Sequence, residues 1–235
     1  MLILAFDTSE RYSPADLPHA GSVALFDAED ETKIMALSRR ELDPGTDHAA
    51  DLSENIRTVL KEAGKKPADV DLVAVTKGPG SFTGLRVGVS AAKTFAFALG
   101  IPAVGINTLD AIAQNTPAEH EKAFLVYDAR RDYVYTGLYR RRDGKMCLED
   151  DYSFLPVAEA VALIPDDAAV FGPGCFAYPD DFPTALTDPL LSRVRIESVV
   201  DLAFEAYRAG NIGDVHDLNP LYLRPSAAEE KRKNV

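Results

Sequence analysis

Two aspartates, Asp7 and Asp128, each close an apolar run, "LILAF" before the first and "AFLVY" before the second. A carboxylate at a strand end can hold Mg²⁺ through water, and a pair of them would suit a nucleotide-splitting site. The same residue type also caps turns, so both uses stand open. The second chemical feature is "GPGSFTGLRVGV" at 78–89. It reads as a strand end, a glycine turn and a helix start, a combination whose unpaired N–H groups suit an anion. Gly80, Ser81 and Thr83 would line such a site, and Gly172 would do so in a second Gly-Pro-Gly at 172–174. The spacing, however, meets neither common phosphate motif. Counted from Gly78, the Walker loop and the dinucleotide loop both require glycine where Thr83 stands, and no lysine follows. Ser81 or Thr83 acting as a simple helix cap explains the loop equally well.

Other catalytic constellations are missing. His19, His48, His120 and His216 include no pair three or four residues apart, so no zinc-binding helix motif exists. There is no Gly-x-Ser-x-Gly elbow, and neither a metal pair nor a nucleophile supports a peptidase. Cys147 and Cys175 form no CxxC pair, which fits a reducing cytoplasm. The formal net charge of −12 argues against a free-standing nucleic-acid binder. The clusters Arg39–Arg40, Arg130–Arg131 and Arg140–Arg142 read as solvated turns. No apolar run is long enough to cross a membrane, and the opening residues read as a buried strand rather than a leader.

The elements that must position these residues follow from periodicity. Strands are expected at 2–6, 21–27, 32–39 and 69–76, with a two-proline loop between the first two. A helix is expected over 47–63, capped by Thr46 or Asp47, with Leu52 and Ile56 on its apolar face. A second is expected over 81–99, stopped by Gly100 and Pro102. In it Gly84 and Gly88 share a face with Ala92, where another backbone can approach closely, at a cost of roughly 1 kcal/mol per glycine. Leu85, Val87, Val89, Phe95 and Phe97 make this helix apolar nearly all round, so the core or a partner must cover it. The second half repeats the grammar of strand, aspartate, strands and Gly-Pro-Gly. Two α/β lobes are therefore expected, at 1–106 and 107–225, followed by a charged tail at 226–235.

Six stretches in order carry a resemblance: "LAFDTS" (4–9), "SVALFD" (22–27), "GPGSFTGLRVGV" (78–89), "GIPAVGINTLDAIA" (100–113), "YDARRDYVY" (127–135) and "LYLRP" (221–225). The chain resembles the TsaB (YeaZ) family, non-catalytic subunits of the bacterial machinery for threonylcarbamoyladenosine in tRNA. The resemblance implies an actin-like, hexokinase-like ATPase fold of two ribonuclease H-like lobes with mixed sheets. It implies pairing with a TsaD-like catalytic paralogue and a TsaE-like ATPase, with tRNA reached through the complex. It also implies homodimers when the chain is alone, no cofactor bound by this chain itself, and ATP and Mg²⁺ at the level of the complex. The paralogue's His-x-x-x-His metal motif is replaced here from Asn107 to Ala111. The implied partner interface is Leu52, Ile56, Gly84, Leu85, Gly88, Ala92 and Phe95. The rival from a different class is an ATPase or small-molecule kinase using Asp7 and Asp128. Two departures from the family are the long loop after Asp7 and the sequence of the tail.

Overall fold

The computed structural model describes residues 1–10, 21–30, 33–43 and 48–221. The loop carrying Pro14 and Pro18, the expected caps at Thr46 and Asp47, and residues 222–235 lie outside the described residues. In chain order the elements are β1 (Leu2–Asp7), β2 (Ser22–Ala28), β3 (Ile34–Glu41), α1 (His48–Glu62), β4 (Leu72–Gly78), α2 (Phe82–Leu99), β5 (Ala103–Asn107) and α3 (Thr108–Ala113). Then come β6 (Lys122–Arg130), β7 (Tyr133–Arg142), β8 (Lys145–Leu148), β9 (Ser153–Pro156), α4 (Val157–Ala162), β10 (Ala169–Phe171), α5 (Pro173–Ala177) and α6 (Ile196–Arg208).

The chain forms two compact units. The first, Met1–Ile112 with Arg193–Pro220, contains a sheet of order β3-β2-β1-β4-β5. β1 to β3 are antiparallel neighbours, whereas β4 and β5 run parallel to β1. Strand alternation divides β1 between two cores. Leu4 and Phe6 join Val23, Val73 and Val75 beneath α1 and α2, through Leu52, Val59, Val89, Ala92 and Ala96. Ile3, Ala5, Leu72 and Ala74 point the other way and are fully buried. α6 packs on β1, β2, β4 and β5 and buries Ile196, Val199, Val200, Ala203 and Phe204. Those positions follow the i, i+3, i+4, i+7, i+8 stripe of a surface helix.

The second unit, Ala113–Ser192 with Leu221, has the order β10-β6-β7-β8, and β9 pairs with β7. Its core gathers Phe124 and Val126 from β6, Val134, Val157, Ala160, Val170 and Phe182. One correction follows for the expected division at 106/107. Residues 193–220 return to the first unit, because the second face of its sheet needs the apolar stripe of α6.

Candidate functional site

Asp7 ends β1 and is fully buried. Its Oδ1 accepts from Ser9 N–H at 2.9 Å, Ser9 Oγ–H at 2.6 Å and Thr76 Oγ1–H at 2.6 Å. Its Oδ2 is buried and has no hydrogen-bond partner among the described residues. A buried oxygen in that condition is costly, roughly 1–3 kcal/mol. Alternation sends Asp7 to the α6 side of the sheet, where Glu10 meets the returning chain at Arg193 and Val194. Burial pushes the Glu10 carboxyl well above its ordinary value, and the charge of Asp7 pushes the same way. Arg193 and the Val194 N–H oppose that shift without cancelling it.

Thr8 faces the other side and explains the glycines of α2. Its Oγ1–H donates to Gly84 C=O at 2.8 Å. A Cβ on Gly84 would stand 2.0 Å from Thr8 O, and one on Gly88 would stand 2.2 Å from Thr8 Oγ1. Ser81 N–H donates to Ser9 O at 2.9 Å, and a Cβ on Gly80 would lie 2.4 Å from that oxygen. The Ser81 hydroxyl caps α2 by accepting from Gly84 N–H at 3.3 Å, and Thr83 is exposed. The glycine turn therefore clamps the helix start onto Thr8 and Ser9. The close backbone approach expected at Gly84 and Gly88 is made by this chain's own strand end.

The second unit repeats the device. A Cβ on Gly172, whose φ is 127°, would sit 2.3 Å from Val126 O, and its N–H donates to Ser192 Oγ at 3.1 Å. Asp128 Oδ1 accepts from Arg130 N–H at 2.7 Å and from the Tyr178 hydroxyl at 3.2 Å. Burial, followed by the Asp128 charge, raises the Tyr178 hydroxyl above its ordinary value. Asn107 uses Oδ1 to accept Leu109 N–H at 2.8 Å and start α3. Among the described residues, no group of three or more His, Cys, Asp or Glu side chains could hold a metal ion.

Of the seven expected interface residues, five are buried and two are half-buried. Leu52, Leu85 and Ala92 are at most 1% exposed, and Gly84 and Gly88 are buried against Thr8. Ile56 and Phe95 are half-buried and packed on the same core. The outward stripe of α2 consists instead of Phe82, Arg86, Ser90, Lys93 and Phe97, which share a face at 3.6 residues per turn. Phe82 and Phe97 are 48% and 65% exposed. The Arg86 guanidinium lies 4.0 Å over the Phe82 ring. Phe97 meets His216 edge-on at 5.4 Å, and Lys93 Nζ donates to His216 C=O at 2.8 Å. Lys93, Thr94, Phe97, Val215 and His216 line a shallow cavity of about 260 Å³. Only the exposure of Phe82 and Phe97 marks this stripe, and residue type alone does not carry that signal.

Residues 44–169, more than half of the chain, match the family model described as "TsaD: tRNA N6-adenosine threonylcarbamoyltransferase". The chain is 37% identical over 99 residues to "tRNA threonylcarbamoyladenosine biosynthesis protein TsaB" of Bacillus subtilis, which covers 41% of this chain and 42% of that protein. It is 27% identical over 240 residues to the Escherichia coli K12 protein of the same description, covering 98% of each. Among solved structures, "YeaZ from Pseudomonas aeruginosa" superposes with a TM-score of 0.74 at 29% identity, over 94% of this chain and 100% of that one. Two mixed sheets in two units, with an aspartate near the end of β1 and another near the end of β6, define the class as a two-lobe, ATPase-like α/β protein. Within that class the chain belongs to the TsaD family, in its TsaB (YeaZ) branch.

Proposed function

We propose that this chain is a non-catalytic scaffold and activating subunit for threonylcarbamoyladenosine formation in ANN-decoding tRNA. It pairs with a TsaD-like catalytic paralogue, is joined by a TsaE-like ATPase in the cytoplasm, and reaches tRNA through that complex. ATP and Mg²⁺ act at the level of the complex. The observation that carries the reading is the outward stripe of α2, with two exposed phenylalanines at its ends and Arg86, Ser90 and Lys93 between them. Exposed aromatic side chains are the anchors that partners bury at interfaces, and arginine is enriched there with them. The inward contacts of Ser81, Gly80 and Gly172 support the same reading, since each is engaged in holding the fold. Without its partner, the same stripe would pair two copies of the chain.

Size exclusion with light scattering tests this on the chain alone and mixed with its own organism's paralogue. A one-to-one complex is expected, weakened about tenfold or more by Phe97→Ala, with a melting temperature lowered by no more than about 4 °C through loss of the His216 ring contact. A chain that ignores the paralogue, or a variant with full affinity, would overturn the reading. The second reading, an ATPase or small-molecule kinase using Asp7 and Asp128, draws on the buried Asp7 Oδ2. It requires Mg²⁺-dependent nucleotide turnover by the purified chain that disappears in Asp7→Asn.

A further inference from the structure

The hairpin between β6 and β7 passes through Arg130, Arg131 and Asp132, whose φ angles are 64°, 57° and 60°. Left-handed backbone crowds the Cβ of any residue but glycine. A tight hairpin of this hand is ordinarily Asn-Gly or Asp-Gly, so the chain carries arginine where glycine would fit without crowding. Several bonds hold the turn in place. Asp128 Oδ1 accepts from Arg130 N–H and the Tyr178 hydroxyl, and the Tyr178 oxygen accepts from Asp132 N–H at 3.2 Å. Asp132 C=O accepts from Val157 N–H at 2.9 Å. Strain fixed by its surroundings is a mark of functional sites.

The strained turn presents its side chains outward. Arg130 and Arg131 are both exposed, and the Arg130 guanidinium has no ion-pair partner among the described residues. Asp132 adds one carboxylate beside the two cations, and Asp128 a second, which is held by Arg130 N–H and the Tyr178 hydroxyl. The next residue, Tyr133, is half-buried and stacks on Phe154 with ring centres 4.9 Å apart and planes at 18°. Tyr135 tilts onto the same Phe154 ring at 5.4 Å. Arginines beside a partly open aromatic pair suit RNA, whose phosphates take the guanidinium and whose bases stack on rings. An acidic protein surface would use the cations and leave the rings idle.

We infer that Arg130 and Arg131 contact the phosphate backbone of the tRNA, with Tyr133 beside them as a stacking surface. This rests on the reading of the chain as a subunit of a tRNA-modifying assembly. The chain as a whole, at a net charge of −12, repels RNA, so the contact is local and salt-sensitive.

The test is R130G/R131G, which removes both cations while favouring the turn's backbone. Its melting temperature should rise by about 2–4 °C. tRNA affinity of the complex with the paralogue, read by fluorescence anisotropy across a salt series, should fall about tenfold. The slope of log K against log salt should shrink by about 2. R130K/R131K should keep the slope. A glycine variant with unchanged tRNA affinity and slope overturns the inference, as does one that loses only ATP binding, which would make the turn a free-nucleotide site. If no complex forms, the subunit reading fails separately. The turn is then judged by tRNA binding to the chain alone at low salt, where absent or unaltered binding overturns it.

Discussion

Glu10 shows how one residue can tie stability to pH. It keeps some solvent contact, yet the protein around it and the charge of Asp7 hold its carboxyl well above the ordinary value of 4.5. The unfolded chain therefore loses this proton at lower pH than the folded one. As pH rises above 4.5, stability falls until the folded group also ionises, and stays lowered beyond that point. Glu10→Gln removes the titration. It should melt higher than the parent at pH 7 and close to it at pH 4, and parallel melting profiles from pH 4 to 8 would refute this assignment. The Asp7 pairing was legible only in part: the strand end was evident, but Glu10 was not. It faces Arg193 and Val194, which come from the far end of the sequence.

At the scale of elements, α2 is held to β1 by absent side chains. Gly84→Ala would place a methyl group 2.0 Å from Thr8 O, where the two nearest atoms are backbone and cannot yield cheaply. A loss of about 1–3 kcal/mol is expected in urea unfolding. Gly100→Ala has open space around its Cβ and answers only to its φ of 67°, so it should cost less. Equal losses would show that the contact with Thr8 is not the determinant. The helix ends themselves were readable, since Ser81 and Gly100 are a standard start and stop. Its outward face was not, because Leu85, Val89, Phe95 and Phe97 are equivalent by type. Only the position of β1, β4 and α1 decides that Leu85 and Val89 are inside and Phe97 outside. α6 went unread although Ile196, Val199, Val200, Ala203 and Phe204 carry a plain helical stripe. β9 is only four residues long, and a strand that short has almost no period to detect.

Across the whole molecule, the first unit is built from two separated segments, Met1–Ile112 and Arg193–Pro220. A fragment of 1–106 should therefore fail to fold cooperatively. Joining 1–112 to 193–220 through a short flexible linker should restore a sharp thermal transition by circular dichroism. A cooperative 1–106 fragment would refute the role given to α6. During synthesis, β1 to β5 emerge long before α6, with Ile3, Ala5, Leu72 and Ala74 already aligned on a face that α6 has yet to cover. Roughly a hundred residues separate the end of β5 from the end of α6. At about 5–20 residues per second, that face waits about 5–20 s on the ribosome. The nascent chain is for that interval a natural client for a chaperone that binds apolar sheet surface, and its yield in the cell should depend on how fast residues 113–208 are translated.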